Sequence, residues 1–213
     1  MKKKPIQHIV FDLGGVLYDI DHKLSAAAFD AITGSDPKEG FLTKFSLSNQ
    51  HKIFTEYEQG LISSDDFYDL VQKELDVQMS RAAFIDAWNA LLKTFPRERV
   101  ELVRKLKERY QVSLLSNTNE IHIQAINNHV RENHKIPHLD HLFHKTYFSC
   151  RLKMRKPNAD IFKHVIDDNG FSAEETLFID DSKPNTDAAA KLGIQTIHLV
   201  DNEVIKALEF LTQ

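Results

Sequence analysis

Four short polar clusters border apolar runs in this chain, and their residue types suit one kind of chemistry. Asp12 ends the apolar block Ile9, Val10, Phe11 and is followed closely by Gly14 and Gly15. Ser116 and Asn117 follow Leu114 and Leu115, Lys156 precedes the stretch NADIFKHV, and Asp180 and Asp181 follow LFI. Adjacent carboxylates at a buried strand end repel each other, so they need a cation or partial protonation. A hard divalent ion with oxygen ligands meets that need, and Mg²⁺ is the usual choice where a phosphate adds a ligand. Ser116 and Lys156 are donors suited to phosphoryl oxygens, and an aspartate such as Asp12 can form an aspartyl-phosphate. Phosphoryl transfer asks for little beyond positioning, charge neutralisation and an in-line nucleophile. The competing structural readings are Ser116 as a turn former, Lys156 as a solvated charge, and Asp180 and Asp181 as a helix cap.

The elements around these clusters must bring them to one rim. Ile9–Phe11 is short, continuously apolar and rich in β-branched and aromatic residues, which reads as a strand buried on both faces. Strand-like blocks recur at 111–119, 175–185 and 194–200. Each follows a helical pattern, and Gly170 and Gly193 close two of those helices. Helix, short apolar strand, polar loop, helix is the rhythm of a doubly wound α/β sheet with parallel strands and right-handed crossovers. Ligands of such sheets bind at the carboxyl ends of the strands.

Residues 22–95 break the rhythm, reading as helices with no convincing strand between them. Asp21 suits the N-cap of a helix starting at His22, and Ser63, Ser64, Asp65 and Asp66 suit another helix start. The expected organisation is a core domain from residues 1–17 plus 96–213, with a helical cap domain over 18–95. An insertion leaving the end of a strand is well placed to cover the crevice.

Composition bounds the partners. The 213 residues include 42% hydrophobic and 27% charged, as in ordinary globular proteins. A formal charge of −4 gives no electrostatic case for nucleic acid or an anionic membrane. The lone cysteine, Cys150, cannot form an internal disulfide, and no run approaches a membrane span, so the expected setting is cytoplasmic. A small phosphorylated metabolite is the expected partner, with a monomer or weak homo-oligomer as the assembly. Cys150 lies in TYFSCRL, read as a strand, where packing is its expected role. The histidines between 122 and 144 match no compact metal-ligand spacing, and Gly14–Gly15 lacks the third glycine of a dinucleotide loop. Trp88 and Phe84 read as packing residues.

In order and spacing, FDLGGVL, LLSNTN, MRKPNADIF and FIDDSKPN resemble the four motifs of the haloacid dehalogenase-like hydrolases. The resemblance covers essentially the whole chain and looks closest to small bacterial phosphatases of the α-D-glucose-1-phosphate phosphatase type. It implies a Mg²⁺-dependent phosphatase acting on a small phosphomonoester, such as a hexose 1-phosphate, through an aspartyl-phosphate. Asp12 would attack phosphorus and bind Mg²⁺, Ser116 would hydrogen-bond the phosphoryl group, and Lys156 would neutralise it and hold Asp12. Asp181 would ligate Mg²⁺ directly, and Asp180 directly or through water. The Gly14 carbonyl would supply another metal ligand, and Asn117 a donor toward the phosphate or leaving oxygen. The alternatives are a phosphate-binding protein with little turnover, or a hydrolase of a non-phosphoester bond.

One position departs from the family pattern. Most of its phosphatases carry an aspartate two residues after the nucleophile as general acid and base, and here that residue is Gly14. Such catalysis is typically worth about 10²–10⁴-fold in rate. Either the leaving group needs little help, or another group (Asp19, Asp21, His22 or water) supplies the proton, or turnover is absent.

Overall fold

The structure, a computed structural model, describes residues 4–36, 40–41, 52–200 and 203–212. Its centre is a parallel sheet of five strands: β1 (His8–Phe11), β4 (Gln111–Ser116), β5 (Lys145–Phe148), β6 (Thr176–Asp180) and β7 (Gln195–His198). They lie in the order β5-β4-β1-β6-β7, so the chain builds outward from β1 on one side and then on the other. Every pairing between them is parallel. This is the α/β architecture that the strand rhythm predicts.

Alternation explains why the strands read as unbroken apolar runs. Ile9 and Phe11 join Val112, Leu114, Leu177 and Ile179 in the apolar cluster on one face. Val10, Leu115 and Phe178 join the cluster on the other. Helices α5 (Arg97–Lys107) and α6 (Glu120–His134) supply Val103, Ile126 and Val130 to the first. Helix α8 (Ala159–Asn169) adds Ile161, Phe162 and Val165 to the second, and α9 (Lys183–Lys191) adds Ala189. Both faces are covered, so both sets of alternating side chains must be apolar.

Register then fixes the rim. Phe11 pairs with Leu114 of β4 and Ile179 of β6, so Asp12 emerges beside Leu115 and Asp180. His8 at the opposite end is wholly buried, with its Nε2 2.9 Å from the Ser113 hydroxyl. Burial pushes the His8 imidazole down to about 4.

Between β1 and α5 lie α1 (His22–Thr33), α2 (Lys52–Glu58), α3 (Ser64–Leu75) and α4 (Arg81–Asn89). Asp21 caps α1 by accepting from the Lys23 amide at 3.0 Å, and Ser63 and Asp66 form a reciprocal capping box on α3. The helices share an aromatic cluster of Phe29, Tyr57, Phe67, Phe84 and Trp88, separate from the two beside the sheet.

Two local expectations are corrected. Residues 22–95 do contain a strand: β3 (Leu92–Thr94) pairs antiparallel with β2 (Asp19–Ile20), joining the two ends of the helical segment. Strands this short carry no periodic signal, and their pairing is long-range. Cys150 lies in the one-turn helix α7 (Ser149–Leu152) after β5, not in a strand. Its Sγ is 3.8 Å from Glu120 Oε1, and burial pushes the thiol up to about 12. Among the described residues, no helix is long and apolar enough to cross a membrane.

Candidate active site

The sequence-predicted residues converge at the carboxyl ends of β1, β4 and β6. Lys156 is 1% exposed, which for an ammonium requires anionic partners. It donates to Asp12 Oδ1 at 2.6 Å, Asp180 Oδ2 at 2.7 Å and the Leu115 carbonyl at 2.9 Å. All three ammonium hydrogens are thereby used, and the Asp12 carboxylate is fixed in direction.

Asp180, wholly buried at the end of β6, accepts further from the Ser182 amide at 2.8 Å and from the Asn185 side chain at 3.0 and 3.1 Å. It therefore ties Lys156 to the first turn of α9. Asp181 is exposed and lines the cavity at the rim. Asp12, Asp180 and Asp181 each bring an oxygen within 4.8 Å of the others.

That crowding has electrostatic consequences. Burial lifts Asp12 to about 7; Lys156 opposes the shift, and Asp180 and Asp181 add to it. Burial also raises Asp181, with Asp180 contributing. Burial disfavours the Lys156 charge, but Asp12 and Asp180 outweigh it, so the ammonium is held more firmly than in water. Three carboxylates face one cation, and the excess negative charge suits a divalent ion. A set of carboxylate and carbonyl oxygens fits a hard ion such as Mg²⁺.

The glycines of the β1 loop are explained by close approach. Gly15 has φ of 79°, and a Cβ there would overlap the Asp181 carboxylate. At Gly14, which lines the cavity, the space beside the Cα is occupied: a Cβ would lie 2.9 Å from Ile20 Cδ1. The missing side chain at position 14 is thus replaced by an apolar one from β2.

Ser116, at the last position of β4, lines the cavity above Asp12 together with Asn117. The Asn117 side chain is committed at both ends, donating to the Lys156 carbonyl at 2.9 Å and accepting from the Lys156 amide at 3.0 Å. It clamps the lysine's main chain at the edge of the cavity.

The cavity, about 470 Å³, runs from this rim to the helical segment, where His22, Phe54, Glu58 and Trp88 line it. That volume suits a small organic ligand. Glu58 of α2 pairs with Arg155 at 3.0 Å, bridging the helical segment to the residue before Lys156. The His122 ring of α6 lies flat on Trp88, with centroids 5.1 Å apart. Sequence reasoning assigned Trp88 to packing alone and found no part for Asn185, Ile20, Glu58 or His122. Glu58 and His122 act through residues distant in sequence, and Asn185 and Ile20 through the turns that bring them back on Asp180 and Gly14, so no periodic pattern marks them.

The family model described as haloacid dehalogenase-like hydrolase matches residues 6–193. The D-ribitol-5-phosphate phosphatase of Bacteroides thetaiotaomicron is 31% identical over 195 residues, covering 90% of both chains. The sesquiterpene phosphatase astK of Aspergillus oryzae is 30% identical over 199 residues, covering 91% of this chain and 89% of its own. Among solved structures, a HAD family enzyme from Bacteroides thetaiotaomicron superimposes with a TM-score of 0.88 and 34% identity. That structure, an Asp-to-Ala variant in complex with magnesium and inorganic phosphate, covers 96% of this chain and 98% of its own.

Proposed function

The chain belongs to the haloacid dehalogenase-like hydrolases, and from that premise we propose a reaction route and a substrate class for it as a Mg²⁺-dependent phosphomonoesterase. The substrate class is a small sugar or polyol phosphate. The relative that acts on D-ribitol 5-phosphate and the size of the cavity support that choice. One observation carries the reading most: a buried lysine holds Asp12 at 2.6 Å, beside two further carboxylates and under a cavity lined by Ser116.

In this route Asp12 Oδ attacks phosphorus, the bond to the leaving oxygen breaks, and water then hydrolyses the aspartyl-phosphate. Ser116 hydrogen-bonds the phosphoryl oxygens, while the Lys156 charge balances theirs and keeps Asp12 aimed. Asp12, the Gly14 carbonyl and Asp181 would hold Mg²⁺, with Asp180 contributing directly or through water while anchoring Lys156. When bound, the ion draws charge from the phosphoryl oxygens and relieves carboxylate repulsion. Asn117 positions Lys156. Residues 18–95 would act as a cap over a core formed by 1–17 and 96–213, excluding bulk water and selecting the leaving group.

Phosphate release from a panel of sugar and polyol phosphates, with Mg²⁺ and with chelator, tests this reading. Wild-type release that is lost with chelator and in Asp12→Asn is expected. Release no greater than that of Asp12→Asn on every ester would sink it.

A further inference from the structure

Resting on the phosphatase reading, we infer that the His22 imidazole passes a proton to the leaving oxygen and takes one from the attacking water, in place of the carboxyl that Gly14 lacks. The position where that carboxyl would begin is occupied by the tip of the Ile20 side chain, whose Cδ1 lies 2.9 Å from an ideal Cβ at Gly14. Two residues beyond Ile20 the chain enters α1, and its first residue, His22, lines the same cavity as Asp12, Gly14 and Asp181. His22 is also exposed, so its ring can exchange protons with solvent between turnovers.

The other titratable groups nearby are committed elsewhere. Asp19 is ion-paired with Arg99 at 2.8 Å, and Asp21 caps α1. Glu58 is ion-paired with Arg155. His122 keeps its Nδ1 2.9 Å from Asn89 Oδ1 and its ring against Trp88, and burial pushes it to about 3, so it stays neutral. Burial pushes the Tyr18 phenol up to about 12. A histidine ordinarily titrates near neutrality. Partial burial of the ring holds His22 below that range, with Asp21 and Asp181 opposing the shift without cancelling it, and His122 is the neighbouring imidazole.

The proton balance closes. As Asp12 attacks and the phosphorus–oxygen bond breaks, the imidazolium proton moves to the leaving oxygen and yields the alcohol. The neutral ring then takes a proton from water as that water attacks the aspartyl-phosphate. Phosphate leaves, Asp12 is again a carboxylate, and His22 is again charged.

The test compares His22→Gln with wild type on two esters: the sugar or polyol phosphate turned over best, and 4-nitrophenyl phosphate. The alkoxide needs a proton and the nitrophenolate does not. The variant is expected to lose about 10²–10⁴-fold in kcat/KM, which reports departure of the leaving group, on the alkyl ester, and far less in kcat/KM on the aryl ester. His22→Asp is expected to restore part of the alkyl activity, with the melting temperature little changed in either variant. Equal losses on both esters, or no loss on the alkyl ester, would overturn the assignment alone. Absence of Mg²⁺-dependent release from both esters in the wild type would overturn the phosphatase reading together with it.

Discussion

The Lys156 ammonium lies 2.6 Å from Asp12 Oδ1, although 144 positions separate the two residues. The same ammonium holds Asp180 at 2.7 Å, so one buried cation keeps two carboxylates out of water. Removing the ammonium leaves two facing carboxylates without their shared counter-charge. Lys156→Met is therefore expected to cost about 3–5 kcal/mol of stability and to abolish turnover. Urea unfolding would measure the loss. A destabilisation under about 1 kcal/mol would mean the carboxylates simply take up protons instead. Lys156→Arg should not rescue activity, because a planar fork cannot reproduce three contacts made by a point charge.

Metal binding should be visible in stability as well as in rate. Mg²⁺ is expected to raise the melting temperature, since only the folded chain gathers Asp12 and Asp181 at one point. Asp181→Asn should remove most of that rise. Gly15→Ala should weaken it too, because the new methyl enters the space of the Asp181 carboxylate and must adopt a φ of 79°. Calorimetric titration with Mg²⁺ reads both effects; unaltered affinity in the two variants would contradict this placement of the ion.

The contact between Gly14 and Ile20 predicts coupling. Gly14→Asp forces the Ile20 methyl away from its place 2.9 Å from the new Cβ, so the single substitution should destabilise the chain. In an Ile20→Ala background the same change should be milder, with a coupling energy of about 0.5–3 kcal/mol. A double-mutant cycle by chemical denaturation checks this. Additive effects would show that Ile20 does not fill the vacated position.

Acid should act through the buried His8. In the unfolded chain a histidine binds a proton near 6.5, whereas burial holds folded His8 down at about 4. The unfolded state thus binds more protons as pH falls below 6.5, so the contribution of His8 to stability is lost between there and about 4. Asp12, raised to about 7 by burial, works in the opposite direction when no metal is bound, but it does so in variant and wild type alike. Relative to His8→Gln, wild type should therefore lose stability as pH falls from 6.5 to 4. A pH-independent difference between the two chains would show that His8 carries no such linkage.

The sequence alone carried the sheet and the polar residues that stand at its rim. Ile9, Val10 and Phe11 had to be apolar because both faces of β1 are covered, and that signal is local. Asp12, Ser116, Lys156, Asp180 and Asp181 were legible because each sits at the junction of a strand or helix with its loop. Local pattern could not state which of them touch, because contact depends on register between strands far apart in the chain. The tertiary structure decided that Lys156 joins Asp12 to Asp180, that the Asn117 side chain serves the Lys156 main chain, and that Ile20 stands where position 14 has nothing. It also paired β2 with β3, strands too short to leave a periodic trace. Burial periodicity is written residue by residue along the chain, whereas contact and charge balance arise only when distant segments share the same few ångströms.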